Sequence, residues 1–125
     1  MDMLIEGLYK VNSFESNEVE VVATVSLNKD HEIFEGHFPG NPVMPGVCMI
    51  QMVKELTERA TEKSLFLSNC SNIKFMAIID PEKNQLLTLK INYKEEDGTI
   101  KVKNTTSFED TLALKLNASF KIVEQ

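Results

Sequence analysis

Two histidines occur in the chain, His31 and His37, and only His37 stands in a setting built to hold a ring still. It opens the run His37-Phe38-Pro39-Gly40-Asn41-Pro42-Val43-Met44-Pro45-Gly46-Val47, eleven residues holding three of the four prolines. Imidazole titrates near neutrality, so it can take and return a proton at physiological pH. Pro39, Pro42 and Pro45 fix their own dihedrals and stiffen the segment, which limits the ordering cost when a ligand binds. A histidine in a loop is ordinarily a surface or structural residue, and His31, with nothing comparable around it, reads as solvated. Gly46 falls where a helix should begin. There an unpaired backbone N–H at the positive end of the helix dipole can stabilise a developing negative charge. Cys48 has no base beside it in sequence and reads as a small buried apolar residue rather than a nucleophile.

Fourteen residues after His37 stands Gln51, bracketed by Met49, Ile50, Met52 and Val53. The bracketing argues for burial, and a buried amide needs partners. Gln51, Glu55, Glu58 and Glu62 also recur at helical spacing, so the same glutamine fits the wet edge of a helix. Both readings stand at this level.

These residues need elements to hold them, and the apolar period switches once to supply them. EVEVVATVSL, Glu18 to Leu27, puts Val19, Val21, Ala23, Val25 and Leu27 on one face at period two, a strand. The Gly/Pro-dense loop follows, which cannot continue as an interior strand or helix. Val47 to Thr61, VCMIQMVKELTERAT, reads as a helix, apolar in its first half and charged in its second. Strands then follow in series. One covers Asn72 to Ile79 before the Asp80-Pro81 turn, and LLTLKINYK leads through Glu95-Glu96-Asp97-Gly98 into TIKVKNTTSF. TLALKLNASFKIV alternates throughout, with Leu112, Leu114, Leu116, Ala118, Phe120 and Ile122 on one side. Half-polar alternation makes an antiparallel α+β fold with one buried sheet face. A single helix can cover five or six strands only if the sheet curls around it, which is the geometry of the hotdog fold.

At 125 residues the chain is sized for one domain, 1–125, with ordinary apolar and charged content. Thirteen basic against nineteen acidic residues give a formal charge of -6, which repels polyphosphate and excludes a nucleic-acid binder working by counterion release. Cys48 and Cys70 make no disulfide framework, and no Cys/His cluster has metal-ligand spacing. No apolar run approaches a membrane span, and the acidic N-terminal stretch is no signal peptide, so a cytoplasmic protein is expected.

The run from Gly36-His37 through Gly46 resembles the active-site motif of the FabA/FabZ family, the 3-hydroxyacyl-[acyl-carrier-protein] dehydratases, and the element order matches over nearly the whole chain. The resemblance implies dehydration of a (3R)-3-hydroxyacyl thioester to the trans-2-enoyl product, in fatty-acid or specialised acyl biosynthesis. It makes His37 the base at C2, the Gly46 amide the partner of the thioester oxygen and the Val43 carbonyl the group that orients the ring. Phe38, Pro39, Gly40, Val43, Met44, Pro45 and Val47 become substrate-binding. Met44, Met49 and Met52 become core or acyl-tunnel lining, with tunnel depth set by Phe34, Phe38, Met49 and Phe75. No metal or redox cofactor is implied; the substrate arrives on phosphopantetheine, from acyl carrier protein or coenzyme A. The family also implies a homodimer, or an oligomer of dimers, in which each chain supplies half of each site.

The family carries Glu or Asp where this chain has Gln51, facing the histidine from the partner subunit. An amide cannot exchange a proton at useful pH. Three alternatives follow. Gln51 positions the substrate hydroxyl or a water in a modified dehydratase, or the site serves an acyl thioesterase or a non-catalytic thioester-binding partner, or Glu55 one turn on supplies the acid. Docking of an acidic carrier on an acidic chain requires a local basic patch, for which Lys54, Arg59, Lys63 and Lys74 are candidates.

Overall fold

A computed structural model describes residues 7–34 and 44–123. Six strands form one antiparallel sheet in the order β1-β2-β4-β5-β6-β3: β1 Tyr9–Ser16, β2 Glu20–Leu27, β3 Ser64–Phe75, β4 Leu86–Glu96, β5 Thr99–Phe108 and β6 Thr111–Val123. The α-helix among the described residues, α1 Gly46–Thr61, packs on β2, β3 and β4 against the inner face of the curved sheet. This is the hotdog arrangement. No helix among the described residues is long and apolar enough to cross a membrane.

Alternation builds the core as the period requires. Val21, Ala23 and Val25 of β2, Leu87, Leu89 and Ile91 of β4, and Leu114, Leu116 and Phe120 of β6 are buried under Met49, Met52, Val53 and Leu56 of the helix. Asn104 and Thr106 also face inward. Their polarity is satisfied locally: Asn104 Nδ2 donates to the Lys90 and Thr105 carbonyls at 3.1 and 3.2 Å, and Thr106 Oγ1 donates to Asn104 Oδ1 at 3.2 Å. The β4–β5 hairpin turns through Asp97 and Gly98, both at positive φ, as the Asp-Gly pair demands. Glu62 ends α1 in the left-handed region, its N–H donating to the Glu58 carbonyl at 2.8 Å.

Three expectations change. β1 is an additional strand, hidden from period-two reading because a bulge between Val11 and Ser13 shifts its inward positions from Tyr9 and Val11 to Phe14. The strand expected over Asn72 to Ile79 is instead β3, running from Ser64 to Phe75. Its pairing with β6 slips twice, between Leu67 and Asn69 and between Cys70 and Asn72, so its sequence never alternates cleanly. Val19 lies outside β2 and is 60% exposed rather than on the apolar face.

Candidate active site

The site is built on the first turns of α1. Pro45 precedes the helix in extended conformation and provides no side-chain cap. Among the described residues no group accepts from the Gly46 or Val47 N–H, and the positive end of the helix dipole falls here. The segment enters the helix anchored, because Met44 is buried and its N–H donates to the Ile79 carbonyl at 2.8 Å. Phe75, the last residue of β3, lies against Gly46: a Cβ there would sit 2.7 Å from the ring's Cζ. Glycine is thus what lets an aromatic ring stand beside the first amides of the helix. Val47, Phe75, Met76 and Ile78 leave this end of the molecule with an exposed apolar fringe.

One helical turn in, Gln51 is half-buried and its Nε2 donates to Glu55 Oε2 at 2.9 Å. The other carboxylate oxygen of Glu55 accepts from the Tyr9 hydroxyl at 2.5 Å, joining β1 to the helix across 46 residues of sequence. Burial pushes the Tyr9 phenol above its ordinary range, helped by the hydrogen bond to Glu55 and its charge, so the group stays a donor. Burial also pushes the Cys48 thiol up, with the Glu55 charge adding to it. Cys48 is therefore a poor nucleophile, as its sequence context suggested. Beyond the triad, Glu58 accepts from the Leu65 N–H at 2.8 Å, and the Arg59 guanidinium stands 4.4 Å from the Phe14 ring centroid. The arrangement offers an oriented amide backed by a carboxylate.

Of the residues singled out from sequence, His37, Phe38, Pro39, Gly40 and Val43 lie outside the described residues. Met44, Pro45, Gly46, Val47 and Gln51 fall at the helix start and in its second turn. Met44, Met49, Met52 and Phe34 belong to the core, while Phe75 is 58% exposed beside Gly46. His31 is half-buried, not merely solvated: its Nδ1 accepts from the Ile33 N–H at 3.0 Å and caps the 3-10 turn Glu32–Phe34. Glu55, the alternative acid one turn on, is in direct contact with Gln51.

Most of the candidates for a basic patch meet partners within the chain. Lys54 pairs with Glu58 at 3.7 Å, Lys63 with Glu95 at 2.6 Å, and Arg59 covers Phe14, so three of the four candidates are engaged within the chain. The strand register instead aligns cations across the outer sheet face, in rows Lys90–Thr105–Lys115–Lys74 and Asn92–Lys103–Asn117–Asn72. Lys94, Lys101 and Lys121 extend it, all seven lysines being exposed. Glu96, bridging Lys94 at 2.9 Å and Lys101 at 3.3 Å, is the one carboxylate among the outward-facing side chains of β3 to β6. Those two lysines hold the Glu96 carboxyl below its ordinary range. The alternation of lysine with Leu, Ile and Val was visible in sequence; the cross-strand register that gathers the lysines was not.

Comparison with known proteins agrees with this fold. The ApeI-like family, described as ApeI dehydratase, matches residues 13–115. The 3-hydroxyacyl-[acyl-carrier-protein] dehydratase FabZ of Lactobacillus helveticus is 32% identical over 119 residues, covering 89% of this chain and 78% of the relative. The enzyme of the same name from Coxiella burnetii is 28% identical over 123 residues, covering 90% and 83%. In fold the chain is similar to a structure of the dehydratase heterocomplex ApeI:P from Xenorhabdus doucetiae, with a TM-score of 0.74, 23% identity and coverage of 90% and 96%. A hypothetical thioesterase from Streptococcus pneumoniae, solved with coenzyme A, shares the fold at a TM-score of 0.65 and 12% identity, covering 94% of this chain and 87% of that one. The family match runs through both the His37–Val47 segment and Gln51, and on that basis the chain belongs to the ApeI-like dehydratase family.

Proposed function

We propose that this protein dehydrates (3R)-3-hydroxyacyl thioesters, carried on an acyl carrier protein, to the trans-2-enoyl products. The observation carrying the reading is the family match across residues 13–115, which takes in the whole chemical segment. In this reading His37 removes the C2 proton and the Gly46 N–H polarises the thioester carbonyl. The Val43 carbonyl orients the imidazole, and Phe38, Pro39, Gly40, Met44, Pro45 and Val47 border the pantetheine arm and acyl chain. Gln51 of the partner subunit holds the C3 hydroxyl. The uncapped start of α1 supports the role of Gly46, since amides there with no described acceptor need no reorganisation to meet a developing oxyanion.

A second copy of the chain is supported by the fringe of Val47, Phe75, Met76 and Ile78, and by β3 as an edge strand with no described strand on its far side. Two unpaired cysteines suit a reducing, cytoplasmic setting. The outer lysine rows supply the basic surface that an acidic carrier needs.

The test is turnover of 3-hydroxyacyl and saturated acyl thioesters, followed by enoyl absorbance and by release of free thiol. Enoyl formation is expected, falling about 10²–10⁴-fold in His37→Ala as a positioned acid–base group is lost. Enoyl formation that survives His37→Ala would overturn the assignment of the base. Thiol release without enoyl product would make the protein a thioesterase.

A further inference from the structure

A side-chain amide has two faces with opposite chemistry, and in Gln51 one of them is already committed. Its Nε2 donates to Glu55 Oε2 at 2.9 Å. An ionised carboxylate only accepts hydrogen bonds, so the flipped amide would set two acceptor oxygens against each other. Glu55 is in turn held by the Tyr9 hydroxyl on its other oxygen. The described groups that act on it are Tyr9 from β1 and, on α1, Gln51 and Cys48, while the charges of Glu58 and Arg59 act on the Tyr9 phenol. Glu58 is occupied by the Leu65 N–H and Lys54, and Arg59 lies over Phe14. No described residue donates to Gln51 Oε1.

We propose that Glu55, clamped by Tyr9, is a positioning residue that fixes the Gln51 amide with its carbonyl oxygen free, so that Gln51 acts only as a hydrogen-bond acceptor for the substrate hydroxyl. The inference rests on the dehydration reading and deepens it. An acceptor holds the C3 hydroxyl by its hydrogen and cannot protonate the departing oxygen. Proton transfer then falls to one imidazole. The C2–H bond breaks with its proton going to His37, and its electron pair forms the C2=C3 bond. The C3–O bond breaks, and the hydroxyl takes the same proton back from the imidazolium to leave as water. Nothing is oxidised or reduced, and no second acid is needed. The loss of a carboxylate at position 51 is thus a change of mechanism rather than a loss of function. The carboxylate one turn away serves to orient.

Three variants test this: Glu55→Gln, Gln51→Glu and the exchanged pair Gln51→Glu/Glu55→Gln. Glu55→Gln removes the directional partner, and kcat should fall about tenfold with KM little changed. Gln51→Glu sets two carboxyl groups within one hydrogen bond. They must share a proton, so the pH–rate profile should gain a limb absent from the parent. The exchanged pair leaves one carboxyl against one amide, so the proton is no longer shared and the limb should move to lower pH, a rescue that a merely structural role for Glu55 does not produce. A readout free of turnover accompanies these. The Gln51 side-chain NH2 signals in a 15N-labelled sample, identified by their loss in Gln51→Glu, should move markedly in Glu55→Gln and less in Tyr9→Phe. Unchanged kcat in Glu55→Gln, or NH2 signals indifferent to it, would overturn the proposal. A parent protein that forms no enoyl product but whose NH2 signals respond to Glu55→Gln would refute the dehydration reading while leaving the orientation of Gln51 intact.

Discussion

Tyr9 holds a proton harder when the chain is folded than when it is unfolded, through burial first and the Glu55 hydrogen bond and charge next. A raised folded value stabilises the fold below the unfolded phenol's range, and that contribution is lost as pH rises through it. Urea unfolding of the parent should therefore weaken above about pH 10, by up to ~1.4 kcal/mol per pH unit from this group. Tyr9→Phe should be less stable by about 1.5–3 kcal/mol at neutral pH, the scale of a hydrogen bond to a charged group, and should fall less steeply in alkali. Equal alkaline slopes in the two proteins would mean that the phenol is not held as described. At this scale the sequence was legible where residues are close along the chain. Gly46 and Gln51 were placed correctly at the helix start and in its second turn. The Tyr9–Glu55 bond was not legible, because 46 residues separate the partners and only sheet topology brings them together.

The helix was legible to one residue, Val47 to Thr61 against Gly46–Thr61, because its apolar face and charged end are continuous. β4, β5 and β6 were legible for the same reason at period two. β1 and β3 were not, since bulges break the alternation that period reading depends on. β3 also sets the surroundings of Gly46 through Phe75, and a substitution there probes the contact. In Gly46→Ala the new methyl must displace a ring that is 58% exposed and free to swing outward. The better helix propensity of alanine, worth up to about 1 kcal/mol, opposes the displacement. Unfolding free energy should thus change by less than about 1 kcal/mol in Gly46→Ala, while a β-branched Gly46→Val should cost more, in the ~1–3 kcal/mol range of overpacking. A loss above 3 kcal/mol in Gly46→Ala, measured by urea unfolding, would mean that the ring is fixed.

On the whole molecule, charge is divided rather than averaged. Seven of the 13 basic residues lie on the outer face of β3 to β6 with Glu96, one of 19 acidic residues. Lys74 stands directly opposite Lys115, an arrangement that costs stability where a neutral side chain would not. Such a placement is what docking of the proposed acidic carrier would use. Lys103→Glu with Lys115→Glu should leave folding intact or slightly improved. It should raise KM for a carrier-linked substrate several-fold at low salt and leave a pantetheine thioester unaffected. Equal effects on both substrates, seen in steady-state kinetics, would remove the face from carrier recognition. Composition suggested repulsion from an acidic carrier; register shows why a net charge is the wrong quantity to consult.

The same division makes the molecule an electric dipole of a size its formal charge of -6 conceals. At low ionic strength it should be retained by cation exchangers as well as anion exchangers, and copies should attract one another head to tail, lysine face to the acidic residues that lie off it. Physiological salt, with a screening length of about 8 Å, would dissolve such strings while leaving contacts made at short range in place.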